Sequence, residues 1–202
     1  PNTTVLMDDF ILYVTEGFNH VMNFNVGGYD HLLFFILIAV PFFFKSWKRL
    51  IGLSLSFTAG HIVSLLFVIY GKLTFSTSYI EFLIVVTIAI AAIYNIFTAG
   101  NRHRNNHNWM TIMVALFFGL IHGFGFGSGF EMLAAGAQSK LLMLLEFALG
   151  IELGQLLVIF VVLLFNFIFT GLFRFNKKEW VQIISAIILG MVLPLLMVRW
   201  IF

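Results

Sequence analysis

The sequence predicts an all-α, polytopic integral membrane protein, a bundle of about six transmembrane helices preceded by a short helix at the membrane surface. Composition points there first: 61% of the 202 residues are hydrophobic and 10% are charged, against roughly 45–50% and about 25% in ordinary soluble domains. A soluble chain of this size still needs a polar coat, whereas a helix bundle in lipid turns its apolar side chains outward. The second observation is the spacing of the apolar stretches, each near the ~20 residues that cross a bilayer as helix. The third is that basic residues gather in alternate polar breaks between those stretches.

From Asp8 to about Phe24, acidic and apolar positions alternate at helical spacing. This predicts a short helix lying on the membrane rather than a further span, so residues 1–27 are read as an outward-facing interfacial segment. Residues 28–202 form one transmembrane domain, with spans at roughly 28–44, 49–70, 78–99, 109–129, 140–170 and 179–201. The fifth is long enough to project beyond the hydrocarbon or to tilt strongly. No internal repeat and no linker suggests a second domain.

Orientation follows from the positive-inside bias. Lys45, Lys48 and Arg49 follow the first span, Arg102 and Arg104 the third, and Arg174, Lys177 and Lys178 the fifth. Only Lys72, Lys140 and Arg199 lie opposite, so eight of the eleven basic residues share the side that should be cytoplasmic, and both termini face outside. A signal peptide is not expected, since Asp8, Asp9 and Glu16 stand where its n-region would carry Lys or Arg. Because the chain starts at Pro1, a missing initiator Met or a removed leader fits equally well.

Composition also excludes functions. A net charge of +2, with the basic residues in short loops, speaks against nucleic acid as a partner. With no cysteine there is no disulfide, thiolate metal site or cysteine nucleophile. The run from His122 to Gly129 has glycines at 123, 125, 127 and 129, but Ser128 stands where Gly-x-Gly-x-x-Gly needs its last glycine, and no strand precedes it. Nucleotide binding is therefore not expected. Gly119 with Gly123, and Gly150 with Gly154, are small-xxx-small pairs that let helices approach closely; the later glycines are expected to end or open the helix just beyond His122.

Ionisable groups inside lipid cost several kcal/mol unless paired or hydrated, so each is a candidate functional residue. Asp30 and His31 open the first span, His61 lies within the second, Glu81 opens the third, His122 lies within the fourth, and Glu146 and Glu152 lie within the fifth. At a rise of about 1.5 Å per residue, His61 lies ~18 Å and His122 ~20 Å from the cytoplasmic starts of their spans, and Glu152 ~18 Å from the outer start of its own. All three fall between mid-membrane and the outer half, where Asp30, His31 and Glu81 can reach them. Imidazole and carboxylate in one stratum suit a borderline divalent metal such as Ni, Zn or Co. The expected ligands are Asp30, His31, His61, His122 and Glu152.

Helical phase adds secondary candidates. Ser54, Thr58 and His61 share a face, as do Glu152 and Gln155, whereas Glu146 points about 120° away. Glu81, Ala92 and Asn95 line one side of the third span, which places an amide deeper, on an inward path. Simpler readings compete with these. An intramembrane Ser or Thr ordinarily bonds its own i−4 carbonyl, the role expected of Ser54 and Thr58. A lone buried His is ordinarily satisfied by a neighbour, Asp30 and Glu81 suit helix N-termini, and His103 and His107 belong to a solvated loop.

These residues lie in ordered motifs: Gly-Tyr-Asp30-His31-Leu-Leu-Phe, Phe-Thr58-Ala-Gly-His61, Glu81 followed by Asn95, Phe-Gly-Leu-Ile-His122-Gly-Phe-Gly-Phe and Gly150-Ile-Glu152-Leu-Gly-Gln155. From about Gly17 to Phe160 the chain resembles the HupE/UreJ family, particularly its second branch. The resemblance implies a polytopic helical fold in a bacterial inner membrane and a role in nickel or cobalt uptake, suggested by kinship with hydrogenase and urease accessory proteins. Departures are visible. The family pattern places a His six residues before the Asp-His pair, whereas His20 precedes Asp30 by ten, which keeps His20 among the secondary candidates. Ile62 replaces a usual Ser, and Ala148 a usual Asn.

Three functions fit this inventory. The first is a permease passing a divalent transition metal inward without nucleotide hydrolysis, with Asn95 and Gln155 continuing the route below the ligands. The second is an intramembrane zinc hydrolase in which Glu152 or Asp30 serves as base. The third is a structural subunit whose polar groups pair with one another and bind no metal.

Overall fold

The computed structural model describes residues 3–24, 28–71, 75–100, 108–137 and 139–200. The basic run with Arg102, His103, Arg104 and His107, together with Lys72, lies outside the described residues. Within them every regular element is helical: α1 (Thr3–Val21), α2 (Asp30–Ala39), a 3-10 turn (Phe44–Ser46) leading into α3 (Trp47–Gly71), α4 (Thr77–Thr98), α5 (Asn108–Gly125), α6 (Gly127–Ala134), α7 (Lys140–Asn166) and α8 (Lys177–Val198). A π-helical stretch, Phe167–Leu172, extends α7.

Four of these helices are long and apolar enough to cross a membrane, and the bent pair α5–α6 makes a fifth crossing if counted as one. The count of six expected from the apolar stretches is reached only by adding α2. That helix has ten residues and a length of about 15 Å, half the hydrocarbon thickness. Its brevity has a local cause: Val40 still has helical dihedrals and bonds back to Ile36, but Pro41 has no N–H to continue the ladder to the Leu37 carbonyl.

A helix that stops within a bundle leaves its last carbonyls without partners, which is costly where no water reaches them. Two buried amides from other helices take them. Asn95 of α4 donates to the Leu37 carbonyl at 2.8 Å. Asn166, at the end of α7, directs its amide nitrogen at the carbonyls of Phe42, Val40 and Ala39 at 2.9, 3.1 and 3.4 Å, and its oxygen accepts from the Trp180 indole at 2.7 Å.

The interfacial placement expected for residues 1–27 contrasts with how α1 packs. It runs alongside α7, with Val14 against Gly150 and Phe18 against Gly154. A Cβ at Gly150 would strike the Val14 carbonyl, and one at Gly17 the Phe147 carbonyl, so the contact is backbone to backbone. Beyond it, α2 continues along the later turns of α7. The α3–α5 contact has the same character, since Cβ atoms at Gly60 and Gly119 would meet the carbonyls of Leu116 and Phe57. Glycine on both sides of each contact brings the paired axes as close as helices pack, and α8 closes the bundle against α4.

Candidate metal centre

Interruptions in two helical tracks bring four imidazoles together. His20 is the penultimate residue of α1 and His31 the second of α2, so the end of one helix and the start of the next meet at one point. His61 comes from the middle of α3. His122 comes from α5, four residues before Phe126, where α5 and α6 bend by 62°. The close α3–α5 contact sets His61 and His122 at one level: a Cβ at Gly123, the neighbour of His122, would meet the His61 carbonyl and the Ser64 hydroxyl.

The ring centroids lie 4.6 Å apart for His20 and His31, 5.5 Å for His20 and His61, 5.5 Å for His31 and His61, and 5.1 Å for His31 and His122. One nitrogen from each of His20, His31 and His61 lies within 4.8 Å of the other two. Tetrahedral binding at ~2.1 Å would place such nitrogens ~3.4 Å apart, so modest ring rotations would close the cage on an ion. His122 is held by its Nδ1–H, which donates to the Phe118 carbonyl at 2.8 Å. In the neutral ring this leaves the Nε2 lone pair as its free donor, the arrangement by which a backbone carbonyl fixes a ligating tautomer.

Burial makes the cluster informative. His61 is 0% exposed, His122 1% and His31 5%. Yet Nε2 of His20, His31 and His122 and both nitrogens of His61 are buried without a hydrogen-bond partner. A buried polar atom left unpaired costs about 1–3 kcal/mol, and several converging on one point mark the place of a ligand. Phenyl rings wall the site: Phe57 lies 5.0 Å from His122, Phe34 5.5 Å from His122, and Phe126 4.1 Å from His20. Four neutral nitrogen donors fit a borderline transition-metal ion and suit Mg or Ca poorly.

The carboxylates expected as ligands stand aside from this group, whose closest members are all histidines. Asp30 pairs with Arg199, Nη1 to Oδ2 at 3.2 Å, while its Oδ1 is buried and unpartnered. Glu81 approaches the same guanidinium at 3.8 Å. Glu152 accepts from the Thr58 hydroxyl at 2.7 Å, and Gln155 accepts from Ser54 at 2.8 Å and lies 3.1 Å from Thr58. Ser54 and Thr58 therefore bond across to α7 rather than back to their own helix, because Glu152 and Gln155 offer acceptors on the facing surface. Glu146 lies near Asp9 and Tyr13 of α1. Asn95 is committed to the end of α2.

Two features escaped the motif reading. His20 and Asp30 stand on different helices, α1 and α2, so their ten-residue offset does not fix a distance. Arg199, read only as a topological charge, sits between two acidic residues; the signal lay in its level, at the outer end of the last span where Asp30 and Glu81 begin theirs.

Below the imidazoles lies a cavity of about 410 Å³ between α2, α3, α4 and α5, whose polar lining is Arg49, Tyr94, Asn95 and Thr111. Phe34 and Phe118 line it as well. Since Phe34 contacts His122 and the Phe118 carbonyl holds it, a single aromatic layer separates cavity from cluster.

Residues 2–202 match a family model described as HupE / UreJ protein. No curated protein and no solved structure matches the chain.

Proposed function

This chain belongs to the HupE/UreJ family, and we propose that it is a permease for a divalent transition metal, nickel or cobalt, with His20, His31, His61 and His122 as the selecting site. The observation that carries the reading is that four neighbouring imidazole rings all carry buried, unpartnered nitrogens, with one nitrogen each of His20, His31 and His61 within 4.8 Å of one another. A structural subunit would have paired them.

The chemistry suits passage better than storage. A dication held by four neutral imidazoles keeps its full charge among phenyl rings, where desolvation is expensive. Transport requires binding tight enough to draw the ion in and weak enough to release it, and a neutral ligand set meets both needs. Imidazole selects against hard cations such as Mg and Ca, which prefer oxygen. Rotation of Phe34 would connect the cluster to the 410 Å³ cavity, which lies toward the side that the basic loops assign to the cytoplasm. The hydrolase reading keeps its two candidate bases, since Glu152 Oε1 and Asp30 Oδ1 are both unpartnered, and the uptake measurement separates it from the permease.

The test combines elemental analysis with uptake. Purified protein should hold about one transition-metal ion per chain, and His61→Ala should hold none. Proteoliposomes of the wild type should accumulate Ni or Co under an imposed ion gradient. Stoichiometric metal without uptake under any gradient would overturn the permease and favour the enzyme; no metal at all would leave the structural subunit.

A further inference from the structure

Arg199 lies at the end of α8, remote in sequence from every motif, yet its guanidinium reaches Asp30, the neighbour of His31 in the chain. Its Nη1 lies 3.2 Å from Asp30 Oδ2 and 3.4 Å from the Glu81 carbonyl oxygen, and its Nε lies 3.8 Å from Glu81 Oε2. Asp30 is the residue before His31, so this cation stands one residue from a candidate ligand. The Arg199 and Asp30 side chains are only 13% and 11% exposed, whereas Glu81 is 45% exposed and marks the wetter edge.

We propose that Arg199 is a specificity-determining residue, a tethered cation that competes with the arriving metal and yields only to a divalent ion bound by the imidazoles. This rests on the reading of the cluster as a metal site and goes beyond it by assigning a residue that the motifs do not contain.

Two charges change together when Arg199 moves. With the guanidinium in place, the negative charge of Asp30 is compensated and a positive charge faces the dication. With it displaced, the repulsion is gone and Asp30 presents an uncompensated carboxylate beside His31. Asp30 Oδ1 is already buried without a partner, so half of the carboxylate is poised for a second cation. A monovalent ion gains half the Coulomb energy from that exchange and fewer imidazole bonds, so it does not displace Arg199. For charges of +1 and +2, a separation of about 10 Å and an effective dielectric constant of ~20 would correspond to a repulsion worth more than a hundredfold in binding. Solvent at the Glu81 edge weakens this, leaving at least a tenfold effect.

The experiment uses Co2+ as probe on the full chain in detergent. In the wild type, loading with Co2+ should raise the reactivity of Arg199 toward phenylglyoxal several-fold, read site by site by mass spectrometry. Arg199→Gln should bind Co2+ at least tenfold more tightly than wild type although the metal-free protein melts lower, and Arg199→Lys should stay near the wild-type affinity. In Arg199→Ala, millimolar guanidinium should compete with Co2+, an effect absent from the wild type. A purely structural Arg199 predicts the reverse, with Arg199→Gln losing affinity in step with its stability. If wild-type protein binds Co2+ through His61 but Arg199 reactivity does not rise on loading, the competitor role is wrong and the metal site stands. The competitor role fails equally if Arg199→Gln binds no more tightly than wild type. If wild-type protein binds no Co2+, both fall. Should Arg199→Gln fail to fold, the wild-type reactivity decides alone.

Discussion

Replacing Asn166 by Leu should destabilise the protein more than any other single polar-to-apolar change and should weaken metal binding without touching a ligand. Leu keeps the branched heavy-atom skeleton of Asn while removing its donors and acceptor, so the chief loss is hydrogen bonding. The amide has two N–H hydrogens for the carbonyls of Phe42 and Val40 at 2.9 and 3.1 Å, with Ala39 sharing at 3.4 Å, and its oxygen receives the Trp180 indole at 2.7 Å. Three hydrogen bonds therefore disappear. At ~0.6 kcal/mol each, the average for polar contacts between membrane helices, the loss is about 2 kcal/mol. If the stranded groups pay the penalty of buried unsatisfied ones, it approaches ~5 kcal/mol. Asn95→Leu removes the bond to the Leu37 carbonyl and should cost less. The consequence for the site follows because α2 is held at its far end by these two amides and carries His31 at its near end. Unfolding in detergent, with Co2+ titration of the folded fraction, measures both effects. Asn166→Leu losing less than Asn95→Leu, or losing stability with unchanged metal affinity, would refute the idea that Asn166 anchors α2 and thereby positions His31.

Other outcomes follow from the same geometry. His20→Ala should lower metal affinity about as much as His31→Ala, measured by equilibrium titration; an unaffected His20→Ala would remove it from the site. Gly119→Val should force α5 away from the Phe57 carbonyl of α3, costing about 1–3 kcal/mol or more on the scale of overpacked cores and lowering metal occupancy together with thermal stability, whereas Gly52→Ala, where the added Cβ meets nothing, should change neither. An Asn106→Cys probe, in a chain with no native cysteine, should resist an impermeant thiol reagent in whole cells, because the basic loop around it is expected to be cytoplasmic; labelling would reverse the topology.

Much of the site was legible because ionisable residues are rare in apolar stretches. His31, His61 and His122 stood out against Leu, Ile and Phe, and the rise per residue placed two of them at one depth before any packing was known. The small-xxx-small glycines indicated close helix contacts, and the glycines after His122 indicated a break, which falls at Phe126. The roles of the carboxylates were not legible. Depth and phase gave Asp30 and Glu152 the same standing as the histidines, but a carboxylate takes the strongest donor within reach. For Asp30 that donor is a guanidinium from the far end of the chain, and for Glu152 it is a hydroxyl on α3. Neither choice leaves a trace in local spacing.

The sequence by itself determined the membrane class, the helical content, the family and the identity of most candidate ligands, because composition and the 3.6-residue period act over stretches shorter than one helix. Only the tertiary structure decided that α2 is half a span, that α1 lies along α7, that His20 joins the cluster, and that Arg199 pairs with Asp30. These depend on contacts between residues as far apart as 30 and 199, or on the path of non-helical segments. There a fixed number of residues no longer corresponds to a fixed distance or direction, so three-dimensional packing has to supply both.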